Sequence, residues 1–172
     1  MTGPAMLPLT DQTLRATFVN ASRKEVSDLS LPAGFDQLDW PSLDHLGWRD
    51  PRLPRRAYLV TPAAGRPDDE PVGLLLQQAE AVPRRRAQCS WCEDVTLPNP
   101  VVFYGARRAG AAGRSGSTVG TLVCQDFQCA ANARRLPPLA YPGYDREAGR
   151  LERIATLRLR TAAFADAVLR GA

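Results

Sequence analysis

The sequence predicts an α+β fold with a small N-terminal helical region, a central antiparallel sheet and a long C-terminal helix. Three observations support this class: short runs of β-branched and aromatic residues, apolar residues at helical spacing towards the C-terminus, and four cysteines in two close pairs. With 172 residues, the chain is expected to form one domain, or one domain with a small annex. Its composition, 44% apolar and 23% charged, is typical of a chain that buries a core.

The N-terminal third of the sequence predicts helices. We expect a flexible tail over residues 1–9 and a helical region over residues 10–54. This region begins with one or two short helices, because Thr10 is a favourable N-cap and Leu14 and Phe18 lie four residues apart on one face. Its second half mixes aromatic residues with prolines and aspartates, which indicates short helices and turns.

Four segments predict the strands of the sheet. Residues 57–60 and 72–77 are apolar and lie on either side of an acidic turn at residues 66–71. Residues 101–104 and 118–123 are rich in β-branched and aromatic side chains and predict a hairpin. The hairpin loop between them is rich in glycine and arginine, and we expect it to be mobile.

Two helices are predicted after the hairpin. The segment from Cys129 favours a helix, which Pro137 and Pro138 stop. From Glu147 onwards, apolar residues recur at helical spacing, and Gly171 suits the end of a long C-terminal helix.

All cysteines of the chain lie between residues 89 and 129. They form a C-x2-C pair and a C-x4-C pair, separated by 31 residues. Disulfides are disfavoured in the cytosol, and two close pairs at this separation are typical of a zinc site with four thiolates. The predicted ligands of one structural Zn²⁺ are Cys89, Cys92, Cys124 and Cys129.

Three other uses of the cysteines remain open: a C-x-x-C redox pair, two disulfides, or an iron–sulfur cluster. A redox pair at Cys89 and Cys92 would leave the second pair unexplained. Coordination by four sulfur atoms leaves no open position for water or substrate, so we expect the zinc to be structural and not catalytic. The tight turn that carries Cys89 and Cys92, called the knuckle, is followed by a hairpin and by a helix that carries the last ligand. This order predicts a treble clef. We assign residues 55–172 to this α/β zinc-binding domain.

Charge is distributed unevenly along the chain. Residues 81–172 carry 14 arginines and 7 acidic residues, whereas residues 1–80 carry 8 basic and 11 acidic residues. A basic half suits a solvated surface, an acidic protein partner or RNA. We expect some of these arginines to lie near the metal and offset the formal charge of −2 on a zinc ion with four thiolates; the candidates are the arginines at positions 84–86, 107, 108, 134 and 135.

The sequence excludes several functions. No apolar run approaches the roughly 18 residues of a membrane helix, and the N-terminus lacks the basic and apolar regions of a signal peptide, so we expect a cytoplasmic protein that does not bind membranes. His45 is the only histidine, and no cysteine remains as a nucleophile once all four bind metal. We therefore expect neither an enzyme nor a small-molecule substrate.

Particular segments of the chain resemble the proteins that bind elongation factor G, best known through the fusidic-acid resistance proteins of the FusB type. The resemblance rests on the knuckle Cys89-Ser90-Trp91-Cys92, on the hairpin from Phe103 to Arg108, and on residues 120–129 leading into residues 132–135. The long C-terminal helix predicted from residue 147 onwards is also similar to that family. The resemblance covers roughly residues 10–170, and its most specific part is residues 85–135.

The resemblance implies a non-catalytic protein that docks on the translocase elongation factor G through its zinc-bearing domain and promotes release of the factor from the ribosome. We expect the protein to be a monomer. Fusidic-acid resistance would follow from this release. Aromatic side chains beside the metal and arginines of the hairpin loop are the expected partner contacts: Trp91, Phe127, Arg107, Arg108 and Arg114. A role in the core is the alternative for the two aromatic residues. The alternative partner is ribosomal RNA, or another nucleic acid, bound through the basic hairpin.

Overall fold

A five-stranded antiparallel sheet forms the centre of the protein, and its strands lie side by side in chain order. The computed structural model describes residues 6–63, 66, 70–81, 83, 85–94 and 100–170. The predicted α+β class is confirmed. The strands are β1 (Leu46–Arg49), β2 (Arg56–Pro62), β3 (Pro71–Gln78), β4 (Val101–Arg107) and β5 (Thr118–Cys124).

Short helices surround the sheet, and one long helix ends the chain. Thr10 and Ser22 each form a capping box at the first two helices, which explains why two such short helices are stable at these positions. No helix in the described part of the chain combines the length and apolar character needed to cross a bilayer. The helices are α1 (Asp11–Ala16), α2 (Arg23–Ser27), α3 (Gly110–Arg114), α4 (Cys129–Arg134) and α5 (Arg146–Leu169), with 3₁₀ helices at Phe35–Gln37 and Trp40–Ser42.

The long helix α5 begins one residue before the predicted start. The side chain of Asp145 caps it by accepting hydrogen bonds from the backbone N–H groups of Glu147 and Ala148, both at 3.0 Å. The side chains of Leu157, Phe164 and Val168 turn into the core on one face of the helix. Gly171, expected at the end of the helix, lies outside the described residues.

The sheet carries a hydrophobic cluster on each of its two faces. On one face, Tyr58, Val60 and Leu75 pack against the N-terminal segments. On the other face, Leu59 and Leu74 pack against α5 and the cysteines. Both faces of the central strands are covered, so five consecutive residues of β2 and of β3 are buried, in place of the alternation typical of a sheet with one solvated face.

Strands β3 and β4 pair at only two positions, and the N-terminal segment fills the gap between them. The Asn20 side chain acts there as a bridge: its Oδ1 accepts from the N–H of Leu75 at 2.8 Å, and its Nδ2 donates to the carbonyls of Leu75 and Arg107 at 3.0 and 2.9 Å. Phe18, expected on a helical face with Leu14, lies beyond α1 and forms a bridge with Gly73 instead. A side chain at position 73 would collide with Thr17, which explains the glycine.

Two segments differ from their sequence-based predictions. Strand β1 lies where helices and turns were expected, and it pairs with β2 across the predicted boundary at residue 55. The hairpin loop contains the helix α3, and the backbone N–H groups of Arg108 and Ala109 donate to the carbonyls of Ser117 and Val168. The acidic residues Asp68 and Asp69 of the predicted turn lie outside the described residues.

A buried carboxylate ties the segment before β1 to the helices on the metal side. The Asp44 side chain is fully buried and forms ion pairs with Arg134 of α4 and with Arg158 of α5, the latter at 2.6 Å. Burial alone would raise the pKa of Asp44, but hydrogen bonds from both guanidinium groups outweigh it and hold the pKa below its usual value.

Replacement of Asn20 by alanine should destabilise the fold. The change removes three hydrogen bonds and leaves buried backbone groups of β3 unpaired, so we expect a loss of about 2–3 kcal/mol in the free energy of unfolding. Urea denaturation measures it, with the exposed Gln37→Ala as the matched control. Equal stability of the two variants would contradict the bridging role.

Replacement of Asp44 should alter the pH dependence of stability. Because the folded pKa of Asp44 is depressed, its stabilisation is complete above the unfolded pKa of about 3.9 and is lost as pH falls through the folded value. Asp44→Asn should cost about 3 kcal/mol at pH 7, and the difference from the unmodified protein should shrink below pH 4. Urea titrations at each pH measure this difference, and a constant difference from pH 7 to pH 3 would contradict the assignment.

Candidate metal centre

Three separate elements bring the four cysteines together. Cys89 and Cys92 lie on the turn that follows β3, Cys124 ends β5, and Cys129 begins α4. All four side chains are buried, and their Sγ atoms lie within 4.8 Å of one another. The Sγ atoms of Cys89 and Cys129 are 3.6 Å apart, and those of Cys92 and Cys124 are 3.7 Å apart.

These distances fit one tetrahedral zinc ion. With Zn–S bonds of about 2.3 Å, tetrahedral geometry places sulfur atoms about 3.8 Å apart. A disulfide would require about 2.05 Å, and the four thiols are free. Each of these two contacts joins one cysteine from each sequence motif, so the C-x-x-C pair is part of one four-sulfur cluster. One structural Zn²⁺, as predicted, is the cofactor that this cluster is positioned to hold.

Hydrogen-bond donors surround the sulfur atoms. The Asn132 side chain donates from Nδ2 to the Sγ atoms of Cys92 and Cys124, both at 3.6 Å. The backbone N–H groups of Trp91 and Cys92 point at the Sγ of Cys89, at 3.4 and 3.5 Å. Such outer donors orient metal ligands and offset their negative charge.

The sequence analysis did not identify Asn132 as a residue of the site. The available signal was its position three residues after Cys129 in a predicted helix, which places both side chains on the same face. Three of the arginines proposed for charge compensation bond elsewhere: Arg107 pairs with Glu25 at 2.7 Å, Arg134 pairs with Asp44, and Arg108 donates to the carbonyl of Ala167. Arg84 lies outside the described residues.

The thiols influence one another's protonation. Hydrogen bonds from the thiols of Cys124, Cys129 and Cys92 lower the pKa of Cys89, because they stabilise its thiolate. The pKa of Cys129 is raised by its hydrogen bonds to Cys124, Cys89 and Cys92 and by burial. Four thiolates therefore need a cation among them, and binding of the ion releases the remaining protons.

Two residues next to the ligands adopt the left-handed conformation that normally favours glycine: Glu93 with φ 52° and Phe127 with φ 58°. The Glu93 carboxylate pairs with Arg160 of α5 at 2.8 Å. The Phe127 ring stacks on Tyr104 with centroids 5.3 Å apart, and it occupies the space that a side chain at Gly47 would fill. These contacts hold both turns in place despite the backbone strain.

The structure places Trp91 and Phe127 in the protein interior. They are only 3% and 6% exposed and belong to the core on the metal side of the sheet. The Trp91 ring lies 5.8 Å from the rings of His45 and Phe164. The sequence left a core role open for both rings, because the strand and helix that cover them are distant along the chain.

The three hairpin arginines lie at the surface, away from the sulfur cluster. Arg107 is exposed at the end of β4, Arg108 is half-buried, and Arg114 is exposed at the end of α3.

Burial lowers the pKa of His45 to about 4, so the only histidine of the chain is neutral and shielded from solvent at pH 7.

The knuckle, the β4–β5 hairpin and the helix that starts at the last ligand define a treble-clef zinc finger. The family model described as the FBP C-terminal treble-clef zinc-finger matches residues 13–168. The chain therefore belongs to this family, which is the FusB-type family that the knuckle and hairpin residues resemble. A comparison with curated proteins gives no match.

Replacement of Asn132 by alanine should weaken zinc binding without unfolding the protein. Loss of an outer-shell donor typically lowers metal affinity by 10- to 100-fold. Competition with a chromogenic chelator measures the affinity, with Gln37→Ala as control. An unchanged affinity would show that the Asn132 amide does not support the ligands.

Proposed function

We propose that this protein binds the translocase elongation factor G and promotes release of the factor from the ribosome by binding alone. Membership of the FusB-type family carries the proposal. A four-sulfur metal site supports a role in adhesion, because it offers no open coordination position to a substrate. The neutral, buried His45 is likewise not placed to exchange protons with a bound substrate.

Exposed apolar side chains on the metal side of the molecule suit a protein partner. Three lie on the linker between α4 and α5, and two lie on α5 itself. We call this group the α5 outer surface; its members are Leu136, Leu139, Tyr141, Leu151 and Leu159. Exposed apolar patches commonly mark protein-binding sites, and we propose that these residues supply apolar contacts to the partner.

The linker is fixed against the first turns of α5. Arg146 donates from Nε to the carbonyl of Pro137 at 2.7 Å. Tyr144 packs over Gly149, where any side chain would collide with the Tyr144 hydroxyl. Leu151 and Leu159, eight residues apart, lie on the same side of the helix. The α5 outer surface is thus largely organised before the partner binds, which lowers the entropic cost of association.

Release of the factor requires no chemical step by this protein. A ligand shifts a conformational equilibrium by as much as its affinities for the two states differ. Binding the released conformation a hundredfold more tightly than the ribosome-bound one would contribute about 2.7 kcal/mol towards release. Tolerance of fusidic acid is the proposed cellular consequence, because release would free ribosomes on which the drug has stalled the factor.

Truncation of two side chains of the α5 outer surface should weaken factor binding. We expect the zinc-loaded protein to retain purified elongation factor G in a pull-down, and the double variant Leu139→Ala, Tyr141→Ala to lose at least tenfold in affinity. Leu53→Ala is the matched control, since Leu53 is also an exposed leucine but lies on the β1–β2 connection. Failure of the zinc-loaded protein to retain the factor would contradict the proposal.

A second measurement tests release. Ribosomes carrying the factor in the presence of fusidic acid are sedimented with and without the protein. The factor should move to the supernatant when the unmodified protein is added, but not with the double variant. A factor that stays with the ribosome at saturating protein would contradict the release mechanism while leaving binding intact.

A further inference from the structure

The β4–β5 hairpin presents an open surface on the face of the sheet opposite to α5. Along β4, Val102, Tyr104 and Ala106 are buried towards the metal side, so Phe103 and Arg107 point the other way. The N-terminal segments pack on β1, β2 and β3 of that opposite face. The Phe103 ring is accordingly 43% exposed, although it is a large apolar side chain in the middle of a strand.

Two cavities border this surface and share Arg107. The larger one, of about 430 Å³, lies between α2 and the hairpin and is lined in part by Phe103, Gln77 and Arg56. The smaller one, of about 250 Å³, lies beside α3 and is lined in part by Arg108 and Arg114. We call the two cavities and the Phe103 ring the hairpin face.

Positive charge dominates the hairpin face. Four guanidinium groups line the cavities, and the single carboxylate among the lining residues is that of Glu25. Glu25 pairs with Arg107 at 2.7 Å and with Arg56 at 3.8 Å. Arg114 makes no hydrogen bond or ion pair with any other residue that the structure describes, so its guanidinium is available to an anionic ligand.

The Phe103 ring lies over Gly120 of β5. A side chain at Gly120 would come within 2.0 Å of the ring, so the glycine allows the ring to lie directly on β5. Gln77, which is exposed at the end of β3, adds an amide that can donate and accept hydrogen bonds beside the ring. A supported aromatic ring flanked by arginines and an amide is the usual means of binding unpaired nucleotides.

We infer that the hairpin face binds a short segment of single-stranded RNA. A base stacks on Phe103, and the neighbouring phosphates contact Arg107, Arg108 and Arg114. The smaller cavity is below the usual 300–1,000 Å³ of drug-sized sites, which suits a phosphate group better than a whole cofactor. This inference does not rest on the proposed partner, because no residue of the α5 outer surface lines either cavity.

Fluorescence anisotropy with a labelled, unstructured 12-nucleotide RNA tests the inference on the zinc-loaded full-length protein. Phe103→Ala should weaken binding about tenfold, whereas Phe103→Trp, which preserves stacking, should retain it. Arg114→Gln should weaken binding and lower the slope of log affinity against log salt by about 0.7. The matched control is Arg150→Gln, because Arg150 lies on α5 about 25 Å from Ala167, which Arg108 contacts.

Several results would overturn the inference. One is absence of RNA binding by the unmodified protein at 50 mM salt. Another is an equal loss of affinity in Arg150→Gln and Arg114→Gln, which would indicate diffuse attraction to a basic surface. A third is a Phe103→Ala variant that keeps its RNA affinity but loses elongation factor G, because the hairpin face would then be a protein site. Circular dichroism and zinc content establish that each variant is folded.

Discussion

The fold on the metal side depends on one constraint: four buried sulfur atoms from three elements must converge on one ion. This convergence fixes the turn after β3, the end of β5 and the start of α4 relative to one another. Buried thiols of this kind cannot all ionise without a cation. The ion therefore couples the charge state of the cluster to the fold, and the Asn132 amide and the knuckle backbone supply the hydrogen bonds that thiolates require.

The sheet supports one candidate binding surface on each of its two sides. On the metal side, the aromatic rings of Trp91 and Phe127 fill the space between the cluster, the sheet and α5, so the outer face of α5 is presented on a rigid support. On the opposite side, the N-terminal segments cover only part of the sheet and leave the hairpin face open. Asp44 connects the two sides through its paired arginines.

Structural features that depend on residues close together in the chain could be predicted from the sequence. The cysteine spacing indicated the metal site, β-branched runs indicated four of the strands, and helical spacing indicated α5. Features that depend on distant contacts could not: β1 is short and is stabilised by pairing with β2, α3 is held by α5, and Asn20 pairs with strands far along the chain. Burial of Trp91 and Phe127 also depends on distant contacts, so the sequence could not decide between a core role and a surface role for these two aromatic residues.

The coordination of the bound metal tests the central claim most directly. Zinc K-edge X-ray absorption of the purified protein should give four sulfur neighbours at about 2.3 Å and no nitrogen or oxygen ligand, with one zinc per chain. A spectrum that requires a nitrogen or oxygen ligand, or a protein that folds fully without any metal, would contradict the view that a closed four-sulfur site organises this molecule.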